Sequence, residues 1–275
     1  MDYIEVNFTD FGDFDPEIAM AQLSEMGFES FTESESCIQG YIREDNYNDI
    51  LINGYLQKLK EKHGIVYNLQ KIVAQNWNAI WESAYEAVTI SGKCQVRAPF
   101  HSPLNGIQYD IVIEPKMSFG TAHHETTALM LELILIEDLI GKRVLDMGCG
   151  TGVLAILAHK MQAEKVVAID NDEWAYANAI ENMKKNGATS VTVIQGELSA
   201  IPLPEYDMII ANINRNVLLY DIPGYTRFLK QNGILLMSGF YEHDLDQIRL
   251  VSEQAGLHLV SHKVNNHWIG AKFAK

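Results

Sequence analysis

Apolar residues recur in this chain with two rhythms, and the rhythm changes as the chain advances. Tyr3-Ile4-Glu5-Val6-Asn7-Phe8 alternates apolar with polar positions, the period of a half-buried strand. Asp15-Pro16-Glu17 then combines an N-cap, a helix-starting proline and an early acid, and Ile18, Leu23 and Met26 follow before Gly27 ends the helix. Residues 28–32 and 37–42 read as two short strands around a polar turn. Ile50, Leu51, Tyr55, Leu56 and Leu59 fall at helical spacing and stop at Gly64, and residues 65–73 return to a strand. The order is β-α-β-β-α-β, the ferredoxin-like arrangement. It contains no constellation of catalytic side chains, so recognition is its expected role.

Residues 75–87, with Trp77, Ile80, Trp81 and Tyr85, are expected to form a linking helix. The predicted organisation is therefore a small domain over 1–74, a linker over 75–91 and a large domain over 92–275. In the large domain, strands are predicted at 94–98 and 109–113, and a helix at 125–139. Strands and helices then alternate: strands over 143–146, 165–169, 190–195, 206–211 and 234–238, and helices over 154–161, 173–186, 216–229 and 245–254. Such alternation implies a mostly parallel sheet covered on both faces. Strands at 257–262 and 265–273 follow each other directly and must pair antiparallel.

Chemistry enters where Val144-Leu145-Asp146-Met147 runs into Gly148-Cys149-Gly150-Thr151-Gly152, an apolar strand followed by a glycine-rich turn. Glycines there let backbone approach a ligand, and the helix they open is expected to offer unpaired N–H groups. A second apolar run, Val166-Val167-Ala168-Ile169, ends on Asp170, placed to accept the hydroxyls of a ribose. A dinucleotide fingerprint would put its third glycine where Val153 stands, so a nucleotide without a pyrophosphate, S-adenosylmethionine, fits the spacing better. Asn212 follows Met208-Ile209-Ile210-Ala211 and brings a third polar residue to a strand end. Its amide oxygen is suited to accept an N–H of an amine and aim the nitrogen lone pair. Asp170 could instead cap a helix, and Asn212 could be a simple turn former.

The stretch Phe119-Gly120-Thr121-Ala122-His123-His124-Glu125-Thr126-Thr127 is the least ordinary in the chain. Thr126 and Thr127 sit at a predicted helix start, where N–H groups favour a carboxylate; helix capping is the simpler account. His123 and His124 are adjacent and diverge, which speaks against a shared metal, and no metal is expected. Cys149 is expected to be buried and inert.

A formal charge of −15 disfavours a phosphate-gripping surface and would steer a basic partner inward. Cys37, Cys94 and Cys149 have no disulfide or zinc spacing. The start of the chain lacks the basic and apolar regions of a signal peptide, and no run is long enough to span a bilayer, so the cytoplasm is the expected location and no membrane partner is foreseen.

These residues together resemble a known family. Asn76-Trp77, Phe119-Gly120-Thr121-x-His123, Thr126-Thr127, the glycine turn, Ile169-Asp170-x-Asp172 and Ala211-Asn212-Ile213 are similar to the PrmA family, which methylates large-subunit ribosomal protein eleven. The resemblance implies a class I S-adenosylmethionine-dependent methyltransferase, a seven-stranded doubly wound sheet with a small N-terminal ferredoxin-like α+β domain that recognises the substrate. It implies cofactor contacts at Thr127, Gly148, Asp170 and Asn212, with Gly150 beside them in the turn, and Asn212 as the catalytic residue. It also implies that several amines of one protein, lysine side chains and the N-terminal amine, are methylated, free or on the ribosome, with no direct nucleic-acid binding. The linker near residues 75–81 would then act as a hinge. Ala122 departs from the family's usual glycine, which bears on the loop if φ > 0 is needed there. The alternatives are a methyltransferase for nucleic-acid amines, disfavoured by Arg215 where a base-stacking aromatic would sit, and a non-enzymatic cofactor-binding regulator.

Overall fold

A computed structural model describes residues 2–34, 37–72, 85–116, 118–202 and 205–275. The chain divides into two compact units, residues 1–84 and 85–275.

In the first unit, β1 (Tyr3–Asp10), β2 (Ser30–Ser34), β3 (Cys37–Arg43) and β4 (Val66–Ile72) form an antiparallel sheet in the order β2-β3-β1-β4. Helix α1 (Pro16–Glu25) starts where Asp15 accepts the N–H of Glu17 and Pro16 fixes the first φ. Helix α2 (Asp49–His63) is capped by Asn48 and ends at Gly64, whose φ of 74° is left-handed. Val6, Phe8, Leu23, Ile42, Ile52 and Leu56 close a core of this unit's own.

The second unit opens with a three-stranded sheet, β5 (Val88–Ile90), β6 (Cys94–Arg97) and β7 (Tyr109–Val112). The expected linker helix lies mostly on residues 73–84, outside the described ones, as does the hinge. The end of the linker expected over residues 75–91 needs correcting. Val88-Thr89-Ile90 is a β-branched run that turns at Ser91-Gly92 and pairs with β6, so it belongs to a sheet.

The main sheet has seven strands in the order β10-β9-β8-β11-β12-β14-β13. Its strands are β8 (Arg143–Met147), β9 (Lys165–Asp170), β10 (Val191–Gln195), β11 (Tyr206–Asn212), β12 (Leu229–Tyr241), β13 (His258–Asn265) and β14 (Trp268–Ala274). The first five run parallel, and β14 is antiparallel to both β12 and β13. Five helices cover it: α3 (Glu125–Ile134), α4 (Val153–Lys160), α5 (Glu173–Lys185), α6 (Arg215–Phe228) and α7 (Leu245–Gln254). Apolar residues pack on both faces. Val144, Ile156, Val166 and Ile210 lie in one cluster, and Leu145, Val167, Ile209 and Tyr225 in the other. This is the doubly wound architecture expected from the alternation.

Several boundaries differ from the sequence reading; β12, for one, runs from Leu229 to Tyr241 rather than over 234–238. Helix α3 stops at Ile134 rather than near residue 139, and Glu137 just beyond it pairs with Lys272 of β14 at 2.5 Å. The final hairpin turns at Asn266-His267, whose φ values of 46° and 65° match a two-residue turn with both central residues left-handed. Neither residue is glycine, so the sequence hid this turn inside an apparent strand. Among the described residues, no helix is long and apolar enough to cross a membrane.

Candidate active site

The order of the main sheet sets where a ligand can bind. Chain connections leave β8 toward β9 on one side, while β11 lies on its other side. That reversal opens a crevice beyond the carboxyl ends of β8 and β11. The glycine turn follows β8 and Asn212 ends β11, so both reach the crevice, and Asp170 ends the adjacent β9.

In the turn, Gly148, Gly150 and Gly152 have φ values of 67°, 54° and 79°. Each needs the left-handed region, which is unstrained only for glycine. The space of the missing side chains is filled by protein. A Cβ on Gly148 would strike the Ile213 side chain, one on Gly150 the Phe119 carbonyl, and one on Gly152 the Met183 side chain. The glycines therefore allow the turn to pack tightly from three sides, a role that the sequence reading assigned to ligand approach.

The turn's N–H groups are also engaged. Gly148 and Cys149 donate to Ile169 O at 2.8 and 3.1 Å, Thr151 to Phe119 O at 2.9 Å, and Gly152 to Cys149 O at 2.8 Å. Gly150 donates to the Asp170 carboxylate at 2.8 Å. The turn itself therefore offers no free N–H and no cradle for a pyrophosphate.

Asp170 is not a helix cap. One of its oxygens takes the Gly150 N–H and the other the Asp172 N–H, while Asp172 caps α5 through the Ala175 N–H at 2.8 Å. Each carboxylate oxygen still has acceptor capacity. Asp146, on β8 below the turn, is fully buried. Its Oδ2 accepts the Ala155 N–H at 3.1 Å, while Oδ1 has no partner among the described residues. Burial lifts its carboxyl to about 7; the charge of Asp170 adds to the rise and the Ala155 N–H opposes it.

Asn212 presents the most telling atom. Its Nδ2 donates to Thr127 Oγ1 at 3.4 Å, and its Oδ1 is buried with no partner among the described residues. A buried acceptor left unmade is costly, and at the end of β11 it leaves Asn212 with an oxygen for which the described residues supply no donor. The chain beyond it is fixed on both sides. The Ile213 side chain fills the space over Gly148, and a Cβ on Gly239 (φ 95°) would strike Ile213's backbone. Asn214 caps α6 through Val217 N, and Arg215 pairs with Asp244 at 2.6 Å. Arg215 and neighbouring bonds hold the Asp244 carboxyl below its usual range against the effect of burial. Gly239 on β12 and Asp244 just beyond it were invisible in the sequence, because they touch Ile213 and Arg215, the chain after Asn212, from a segment far along the sequence.

Thr127 is buried in the first turn of α3. The N–H groups of Thr126 and Thr127 are taken by His124, through Nδ1 at 3.2 Å and the carbonyl at 3.1 Å. His124 is thus the cap, and the expected carboxylate site at this helix start is already filled by the chain itself. His124 Nδ1 must accept there. His123 Nε2 faces the Glu86 carbonyl at 2.9 Å and therefore donates to it. Both histidines have structural partners. Ala122 adopts φ 67° and is buried, so the position does need the left-handed region and this chain places a methyl there. Burial drives the Cys149 thiol well above its ordinary value, consistent with an inert residue.

A family model described as ribosomal protein L11 methyltransferase (PrmA) matches residues 13–275. A ribosomal protein L11 methyltransferase of Bacteroides fragilis is 40% identical over 260 residues, covering 94% of this chain and 93% of that protein. One from Porphyromonas gingivalis is 41% identical over 261 residues, covering 94% and 90%. The crystal structure of a ribosomal protein L11 methylase from Lactobacillus delbrueckii subsp. bulgaricus aligns with a TM-score of 0.63 at 27% identity, covering 70% of this chain and 99% of that one. A Pyrococcus furiosus methyltransferase shares the fold, with a TM-score of 0.52 at 16% identity over 60% of this chain and 88% of its own.

Proposed function

Because the chain belongs to the PrmA family of ribosomal protein L11 methyltransferases, we propose that it transfers methyl groups from S-adenosylmethionine to amines of ribosomal protein L11, at lysine side chains and the N-terminus. The observation that carries this reading is the buried, unpartnered Oδ1 of Asn212 at the crevice. An amine nitrogen needs an acceptor for its N–H and a fixed direction for its lone pair, and a side-chain amide oxygen supplies both.

The residues present fit the cofactor. A turn whose N–H groups are all engaged suits a nucleotide that lacks a pyrophosphate. Thr127, Gly148, Gly150, Asp170 and Asn212 would hold it, with Asp170's remaining acceptor capacity directed to ribose hydroxyls. When bound, the cofactor supplies an electrophilic methyl on a sulfonium. The protein's contribution is alignment, the main rate term for an in-line transfer.

A lysine amine must first lose a proton. From a reference value near 10.4 this requires about 4.6 kcal/mol at neutrality. Entry into a dry crevice lowers that requirement. With His123 and His124 both engaged in structural bonds, the proton leaves to solvent rather than to a resident base.

The first unit, residues 1–84, is assigned to presenting the substrate. A net charge of −15 favours a basic ribosomal protein, free or ribosome-bound, over nucleic acid, and a ribosomal substrate supports a cytoplasmic site of action. The test is incubation of purified protein with labelled S-adenosylmethionine and either ribosomal proteins or stripped ribosomal RNA, followed by mass mapping. Label on L11 amines supports the proposal; label in RNA, or none, overturns it.

A further inference from the structure

Thr151, between the last two glycines of the turn, is fully buried, and its polar groups are held from outside the turn. Its N–H donates to Phe119 O at 2.9 Å and its hydroxyl to Gly120 O at 2.5 Å. Its carbonyl accepts from the Asn182 side chain at 2.9 Å. Asn182 sits on α5, is itself fully buried, and uses its Oδ1 to accept the Glu114 N–H at 2.9 Å. One side-chain amide thus joins the peptide between Thr151 and Gly152 to the chain that follows β7.

Nothing about α5 as a helix calls for this residue. Asparagine is a poor interior helix former. Its neighbours toward the turn, Ala179 and Met183, pack against Gly152 as ordinary apolar residues. Burying an amide that merely exchanges water for protein partners yields little net stability. What it does yield is direction. Without the Asn182 donor, the Thr151 carbonyl would be a buried acceptor with nothing to meet, and its peptide would rotate in search of one. That rotation would move Gly150 and Gly152, between which the turn's backbone is bent.

One helical turn later, Asn186 offers a built-in comparison. It accepts the Val112 N–H at 2.9 Å and donates to the Val112 carbonyl at 2.6 Å. It makes the same two kinds of bond to the same stretch of chain, but none to the glycine turn.

We infer that Asn182 is a positioning residue for the cofactor, holding the Thr151–Gly152 peptide in the orientation that binding requires, whereas Asn186 is structural. The inference rests on the proposed binding of S-adenosylmethionine at the turn. The test measures the dissociation constant of S-adenosylhomocysteine by calorimetry, the melting temperature, and KM for S-adenosylmethionine against kcat. The full-length wild type, Asn182→Ser and Asn186→Ala are compared. Both variants are expected to melt earlier than wild type. Only Asn182→Ser is expected to weaken S-adenosylhomocysteine binding, by roughly tenfold, and to raise KM while kcat at saturation stays within about threefold. If Asn182→Ser does not fold, Asn182→Ala, which removes the donor to Thr151 without adding a charge, is compared instead, with the same expectation. Equal affinity in wild type and the Asn182 variant, or equal weakening in the Asn186 variant, overturns the inference. Absence of binding by wild type overturns the functional proposal on which it rests.

Discussion

Asp146 and Asn212 each keep one buried oxygen without a partner among the described residues, and they respond to substitution in different ways. The folded chain holds the Asp146 proton up to about pH 7, because burial disfavours the charged carboxylate. An unfolded chain releases it near pH 4. Between those values the folded state binds more protons, so stability falls as pH rises through the window and is flat above it. Asp146→Asn keeps an oxygen for Ala155 and cannot ionise. Its melting temperature should exceed that of wild type at pH 8, and the gap should narrow as pH falls and close near pH 4, as calorimetry would show. A constant difference across this range would refute the buried-charge account. Asn212→Ala removes an unmet acceptor, so stability should hold or rise slightly. Turnover should fall about a hundredfold, the scale of a misplaced reacting group. Steady-state kinetics alongside thermal melting separates the two effects, and wild-type turnover would remove Asn212 from the site.

Between elements, the decisive contacts join the ends of β8, β11 and β12 through Ile213. Its side chain occupies the space over Gly148 and its backbone the space over Gly239. A methyl on Gly239 would also force a side chain into φ 95°. Gly239→Ala is therefore expected to lower stability by at least about 1–2 kcal/mol and to reduce turnover with it, since Asn212 precedes the displaced residue. Arg215→Ala leaves the buried Asp244 carboxylate without its cation. With Arg215 partly open to solvent and the Tyr241 N–H still on Asp244, it should cost about 1–3 kcal/mol, measured by denaturant unfolding. Recovery of that stability in the double variant with Asp244→Asn would confirm that the penalty belongs to an unpaired charge. Neither Gly239 nor Asp244 could be found by reading along the chain. Asp170 and Asn212 could, because each directly ends an apolar strand.

Over the whole molecule, the two units have separate apolar cores, one around Phe8, Leu23 and Ile42, the others on the two faces of the main sheet. A fragment of residues 85–275 is accordingly expected to unfold cooperatively and to bind S-adenosylhomocysteine like the full chain, while losing methylation of L11. Non-cooperative melting, or retained activity on L11, would show that the division of labour is wrong. The periodicity of apolar residues determined the elements and the doubly wound plan, because a strand or helix must bury its own stripe wherever it lies. Strand ends marked by glycine, aspartate and asparagine likewise disclosed the crevice, since polar residues after apolar strands fall at one edge of a parallel sheet. The donors already spent inside the glycine turn, the helix start closed by His124, and the bonds of Asn182 and Arg215 were decided only by the tertiary structure. They join segments far apart in sequence, and hydrogen bonds and steric contacts of that kind depend on distances that no local pattern encodes.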